Sequence, residues 1–396
     1  MVYLVYFLIL ATILPFTITL SQDPLVQTLT QWVPKEFGFF VGASLIIAMS
    51  MFWGKERINT FRNKWLAALL IYAVVHFAWI FWKPILSIDI DGRYAIAHSI
   101  IRPFLNIFLG ILLIKTLVEN LSAGDWVKVS KFLCWTGFIL AAYSIFQWFG
   151  FDQIFANHWK FRHSNDVVMR KDFMMTFLSN HILSSNYIAL ITPLCLMFKE
   201  FRYKIFFAVM AVSVCMADSL TSFAALGISI LAYLVFCSKW RVLLLTMVLL
   251  VVTSFYLNGM HKNFFSANSR MNLWKESIAT VLKENPFTGA GIGSYPKMHK
   301  LGNQMALSAH NEFVQSFTEG GIPLIIIIAG YLITLSRRAI WTILDKRFIM
   351  TICFFCGFLG LFVISNGSFP FRFAPLATLG ILYIANLESM TGEQNG

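Results

Sequence analysis

The residues able to do chemistry crowd into one stretch of this chain, residues 268–330. Arg270 and Trp274 open it. A glycine-rich turn with Gly289, Gly291 and Gly293 follows, and His310, Asn311, Glu312, Gln315 and Glu319 close it just before the apolar run 322–333. A histidine can take up a proton near neutral pH. An arginine presents a planar fork of donors that matches phosphate oxygens. Together these types suit proton abstraction beside a bound anion. Each also has a plainer reading, His310 as a histidine hydrogen-bonded at a helix start and Arg270 as a solvated surface arginine.

Two helices must position these groups. After Asn268 or Ser269 as N-cap, apolar residues recur at Met271, Trp274, Ile278, Val281 and Leu282, the spacing of an amphipathic helix that ends near Asn285 and Pro286. Such a helix lies on the membrane surface or packs over the spans. Arg270 is then expected in its first turn, where free N–H groups favour an anion. A second helix begins at His310. Asn311, Gln315 and Glu319 are spaced four apart and give its first half one polar face, with Glu312 one step around. Polar groups at membrane depth are costly and usually face a cavity. The glycines lack the strand–turn–helix frame of a nucleotide site, so a tight turn returning the loop to the membrane is the preferred reading. A second loop, 150–180, holds His158, Lys160, Arg162, His163, Arg170 and Lys171 with Asp166 and Asp172. It is either a further cluster of cations that helps hold a diphosphate or an ordinary mixed-charge loop.

Everything around these residues is apolar. Of 396 residues 58% are hydrophobic and 13% charged, against about 25% charged in soluble domains. The apolar runs are long and continuous, so the expected fold is an all-α polytopic membrane protein rather than a barrel. Twelve spans are expected, near 2–20, 37–53, 65–82, 97–118, 128–149, 181–198, 203–217, 221–237, 242–257, 311–335, 348–364 and 372–387. The first lacks the basic flank of a signal peptide and reads as retained. Sixteen of the 31 basic residues fall in the short loops after even-numbered spans. Those loops are therefore expected in the cytoplasm with both termini, and loops 150–180 and 258–310 outside. One membrane domain, 1–396, is expected to carry both external loops, the larger between spans nine and ten.

The net charge of +12 beyond this orientation bias suits an anionic substrate or lipid headgroup. Nucleic acid is not expected, because no soluble basic domain exists to bind it. Cys134, Cys195, Cys215, Cys237, Cys353 and Cys356 all lie in apolar runs, and packing is their expected role. Trp53, Trp65, Trp79, Trp82, Trp148 and Trp240 near span ends suit an interfacial belt. Asp89 and Asp91 have no further ligand nearby in the sequence, so no metal site and no cofactor are expected.

The motifs together resemble a known family. Arg270-x-x-x-Trp274, Asn285-Pro286-Phe287-x-Gly289-x-Gly291, His310-Asn311-Glu312-Phe313-x-Gln315 and Glu319-Gly320-Gly321-Ile322-Pro323 look like the core of the O-antigen ligase and polymerase superfamily, over roughly residues 215–335. The resemblance implies transfer of a glycan from undecaprenyl diphosphate to the lipid A–core of lipopolysaccharide, at the periplasmic face of the cell inner membrane. It implies that His310 activates the acceptor hydroxyl and Arg270 binds the donor diphosphate. There is one departure. Many members carry an arginine at the start of the eighth span, where this chain has Phe223. Arg170 and Arg162 are the candidates to replace it.

A diphosphate is already a good leaving group. Arginines that neutralise it and a histidine base suffice for a metal-independent transfer, and direct attack would invert the anomeric carbon. The alternatives are an O-antigen polymerase, a protein-directed glycan transferase, and a transporter or flippase with the polar face lining a path. The absence of repeated halves and the place of the polar cluster near a span end disfavour transport. The missing C-terminal extension disfavours the protein-directed transferase. The His310-Asn311-Glu312 motif and single dominant loop favour the ligase.

Overall fold

A computed structural model describes residues 1–13, 38–51, 64–82, 102–149, 178, 181–217, 219–238, 264–291, 300–301, 304–305, 309–346, 348–368 and 370–392. Twelve α-helices are described: α1 Val2–Ile13, α2 Gly38–Met51, α3 Lys64–Trp82, α4 Arg102–Asn120, α5 Ala123–Trp148, α6 His181–Ile191, α7 Phe201–Met216, α8 Leu220–Phe236, α9 Phe264–Glu284, α10 Glu312–Lys346, α11 Ile349–Gly367 and α12 Ala374–Gly392. Short 3₁₀ segments, Thr192–Met197 and Pro370–Arg372, follow α6 and precede α12. The described strands, Lys300–Leu301 and Gln304–Met305, form a two-stranded antiparallel ladder.

The helices α5, α10 and α11 are long and apolar enough to cross a membrane, and α1, α2, the first part of α3, α6 with its 3₁₀ extension, and α8 are shorter apolar helices. The expected spans other than the ninth coincide in whole or in part with described helices, and residues 14–20 of the first and 97–101 of the fourth lie outside the described residues. The ninth, 242–257, lies outside the described residues, as does nearly all of loop 150–180. The count of twelve crossings remains an expectation.

Three boundaries differ from the sequence reading for local reasons. Helix α5 starts at Ala123 instead of 128, because Ser122 and Asp125 make a capping box that satisfies the first-turn N–H groups. Helix α6 gives way to 3₁₀ geometry at Thr192, where Pro193 cannot donate a backbone bond. Helix α10 runs on to Lys346 instead of ending near 335. Its last turns bury Leu335, Ala339, Thr342 and Ile343 at helical spacing, so Arg337 and Arg338 sit on a packed amphipathic helix and not in a loop.

Helix α11 is the hub of the bundle and packs against α8, α10 and α12; α5 packs on α7, and α4 on α12. Small residues allow the closest approach. A Cβ at Gly360 would lie 2.7 Å from Ser229 Oγ of α8, and one at Gly357 would lie 2.7 Å from the Tyr383 ring of α12. Ser229 also donates to Cys356 O at 2.8 Å. Contacts of this kind replace the hydrophobic drive that lipid removes. Cys134, Cys195, Cys353 and Cys356 are buried and Cys215 is exposed. Trp65 packs against α10, where a Cβ at Gly330 would lie 2.5 Å from its ring.

Candidate active site

The site is built on the first turn of α10. Asn311 caps this helix: its Oδ1 accepts from the backbone N–H groups of Phe313 at 3.0 Å and Val314 at 3.1 Å. Its Nδ2 donates to Asn366 O at the end of α11, at 3.3 Å. His310 stands just outside the helix with φ of 52°, a conformation uncommon for any residue but glycine. The peptide before it is held from both sides. Trp274 Nε1 of α9 donates to Ala309 O at 2.6 Å, and Ala309 N donates to Gln315 Oε1 at 3.3 Å. Ala309 and Leu273, with Trp274 and Val314 against them, form a small apolar cluster of their own.

Two glycine motifs far apart in sequence close on each other beneath this turn. Helix α10 is broken at Gly321, with φ of 70° and ψ of −168°, a region essentially reserved for glycine. The break and Pro323 disturb the helical ladder. The turn after α9 meets the groups around it: Ala290 N donates to Thr318 O, Gly291 N to Glu319 O, and Ile322 N to Pro286 O, each at 2.9 Å. The Tyr72 hydroxyl of α3 donates to Gly320 O. A broken helix at membrane depth is tolerated when its exposed backbone groups are re-satisfied in this way. Gly289, with φ of 61°, allows the approach, since a Cβ there would lie 2.5 Å from the Glu319 carbonyl.

The polar face read from sequence carries a counter-charge. Glu319 is 3% exposed and its Oε2 accepts from the Arg372 guanidinium at 2.8 Å. Glu319 Oε1 accepts from Gln315 Nε2 at 3.0 Å. Glu312 lies 3.7 Å from Arg372 Nε. Arg372 comes from the 3₁₀ segment before α12, and the sequence reading missed it. It has no motif around it and its carboxylate partners lie 53 and 60 positions away. One signal was available. Two carboxylates on a membrane helix call for a cation, and Arg372 is the single basic residue after Arg347.

His310 is half-buried, and its pKa is lowered, first by burial and then by the positive charge of Arg270. Arg270 and His310, 40 positions apart, are thus within electrostatic reach, as α9 packs on α10. The expected helical position of Arg270 was wrong. Helix α9 starts at Phe264, so Arg270 lies in its second turn and the free N–H groups of the first turn belong to earlier residues. Asn268 and Ser269 are tolerated inside the helix at a modest propensity cost. Any anion at Arg270 must be held by the guanidinium without that help.

Arg162 and Arg170 lie outside the described residues. The start of α8, where Phe223 replaces the expected arginine, is described and borders the site. A Cβ at Gly367 would lie 2.8 Å from Thr221 Oγ1, one residue along from the Asn366 carbonyl that binds Asn311. That corner carries a cluster of hydroxyl and amide groups. Ser222 Oγ lies 2.7 Å from both Ser185 Oγ and Asn186 Oδ1 and 2.9 Å from Ser219 Oγ. Arg372 does not supply a second free cation, since its guanidinium is paired with Glu319 and Glu312.

Comparison with known proteins adds one match. Residues 205–329 match the family model described as O-antigen ligase, a range that contains Arg270, both glycine motifs, His310 and Glu319, but not Arg372. No curated protein matches the chain.

Proposed function

We propose, from the match of residues 205–329 to the O-antigen ligase family model, that this integral membrane protein is a glycosyltransferase of the ligase type. It moves an O-antigen glycan from undecaprenyl diphosphate to the lipid A–core of lipopolysaccharide, at the periplasmic face of the inner membrane. The observation that supports this most directly is a half-buried histidine at the start of α10 whose pKa is lowered by burial and by the nearby charge of Arg270.

The steps follow from those two side chains. Neutral His310 takes the proton of an acceptor sugar hydroxyl. The oxygen attacks the anomeric carbon of the donor glycan. The bond from that carbon to the diphosphate breaks, and undecaprenyl diphosphate leaves with the electron pair. Arg270 neutralises the charge that grows on it, the part a metal ion plays elsewhere. The other carboxylates of the motif are occupied by Arg372. A single displacement inverts the anomeric configuration, and retention in the product would count against it. General-base catalysis is worth typically about 10²–10⁴-fold in rate, so His310→Ala should lose nearly all transfer.

A lipopolysaccharide gel tests the assignment. Loss of a ligase leaves core without O-chain while polymer accumulates on the lipid carrier. Loss of a polymerase leaves core capped with one repeat. Full glycan attachment by His310→Ala would sink the catalytic role.

A further inference from the structure

We propose that Arg372, Glu319 and Gln315 form a positioning relay that sets His310, an inference that rests on the transfer reading above. The relay runs through two side chains to a backbone group. Arg372 holds one oxygen of Glu319 at 2.8 Å. The other oxygen of Glu319 accepts from Gln315 Nε2 at 3.0 Å, and Gln315 Oε1 accepts from Ala309 N at 3.3 Å.

The order of these contacts matters because an amide has two unlike ends. Gln315 can face Ala309 with its acceptor only while its donor end has an acceptor of its own. Glu319 Oε1 is that acceptor. Glu319 is 3% exposed, and Glu312 adds a second carboxylate beside the same arginine. Without the guanidinium, Glu319 loses the charge-assisted bond that fixes its carboxylate, and its other oxygen loses its set position beside Gln315. The Gln315 amide is then free to turn its NH₂ towards the Ala309 N–H, where two donors would meet. The Ala309 peptide would keep only its bond from Trp274 Nε1. His310 follows Ala309 at φ of 52°, outside the regular ladder of α10, so these two anchors on Ala309 help to set where its ring sits. Arg372 is thus a positioning residue that acts through Glu319 and Gln315 and touches no reacting atom.

The test uses the purified full-length protein in proteoliposomes, with undecaprenyl-diphosphate-linked glycan as donor and lipid A–core as acceptor. Arg372→Gln and Gln315→Leu should each lower kcat on the order of tenfold to a hundredfold, the usual cost of a catalytic group displaced by about 1 Å. The donor KM should not change, because Arg270 is not part of the relay. Arg372→Lys, which keeps the charge, should recover part of kcat. In a His310→Ala background neither Arg372→Gln nor Gln315→Leu should lower the residual rate further, since a relay acting through His310 has nothing left to set. Should Arg372→Gln not melt cooperatively in detergent, Gln315→Leu, uncharged and similar in size, carries the kcat and His310→Ala arms. A wild-type kcat from the folded variants would overturn the relay, as would a further loss in the His310→Ala background. A raised donor KM at unchanged kcat would overturn it too and assign Arg372 to the donor phosphates. A wild-type rate from His310→Ala alone would instead sink the transfer mechanism. Loss there with wild-type rates from Arg372→Gln and Gln315→Leu would sink only the relay.

Discussion

Helix α10 carries an arginine–carboxylate pairing near each end, and the two are built differently. Near its start, Arg372 reaches Glu319 at 2.8 Å and Glu312 at 3.7 Å, with side-chain exposures of 24%, 3% and 14%. Near its end, Arg338 stands 3.6 Å from Glu388, and the arginine is 42% exposed. The first pairing is sunk into the protein and connected by Gln315 to the residue before His310. The second lies on the amphipathic continuation of the helix, where its surroundings are helix packing. A charge is expensive to bury in a membrane protein. This chain buries one beside the turn that carries His310, and elsewhere on the same helix leaves the arginine at the surface.

Glycine substitutions give the largest expected contrast between these regions. A Cβ at Gly321 would lie 2.7 Å from Pro286 O and 2.9 Å from Gly289 N, at a φ of 70°. Both neighbours are backbone and cannot swing away. Gly321→Ala should destabilise the protein by about 2–4 kcal/mol from backbone strain and overpacking, and should abolish transfer by parting the 285–291 turn from α10. A Cβ at Gly330, nearer the other end, meets only the Trp65 ring at 2.5 Å. That side chain can change its rotamer, so Gly330→Ala should cost about 1–3 kcal/mol and spare catalysis in the protein that folds. Melting curves and transfer assays on both variants check this. Equal loss of activity in folded Gly330→Ala would erase the distinction between the two regions.

A smaller effect concerns pH. His310 has its pKa below the ordinary 6.5, with burial the larger cause and Arg270 the second. In the proposed transfer the neutral ring is the base. Transfer should therefore fall on acidification with a midpoint below 6.5, read from kcat/KM as the free-enzyme value. Arg270→Gln removes one cause and leaves burial, so the midpoint should move up without reaching the ordinary value. Arg270→Lys should hold it down. A midpoint that Arg270→Gln leaves unmoved would separate the two residues. Arg338, at the far end of α10, should not move it.

The sequence made the apolar architecture legible, because a helix in lipid needs a long continuous run and charged loops interrupt it. Interruptions with another cause were harder to read. Arg337 and Arg338 looked like a loop, yet Leu335, Ala339, Thr342 and Ile343 continue the helical stripe past them. The Gly320-Gly321-Ile322-Pro323 motif was visible as a family feature. Its use as a helix break paired with the 285–291 turn was not, because the pairing is made by backbone groups that leave no residue signature. Arg270 was placed in the wrong turn because Asn268 and Ser269 resemble an N-cap, whereas α9 begins at Phe264. Gln315 and Glu319 could be assigned to one face by spacing alone. Their counter-ion could not, since Arg372 sits 53 positions beyond Glu319, and only the cost of buried charge pointed to it.

The smallest effect should come from Arg338. Its pairing with Glu388 is at 3.6 Å, and its side chain is 42% exposed, so water solvates much of the guanidinium and screens the attraction. An exposed pair of this kind is worth about 0–1 kcal/mol. Glu388 is more buried, at 9% side-chain exposure, which sets the upper end of that range as the better expectation. Arg338→Gln should therefore lower the unfolding free energy by about 1 kcal/mol or less, with kcat, donor KM and the acid limb all unchanged. Arg372→Gln changes the same residue type to the same replacement on a pairing to the same helix, so the two variants differ chiefly in what the arginine is connected to. If Arg338→Gln lowered kcat as far as Arg372→Gln does, the loss would report disturbance of α10 as a whole, and connection to Ala309 would no longer explain it.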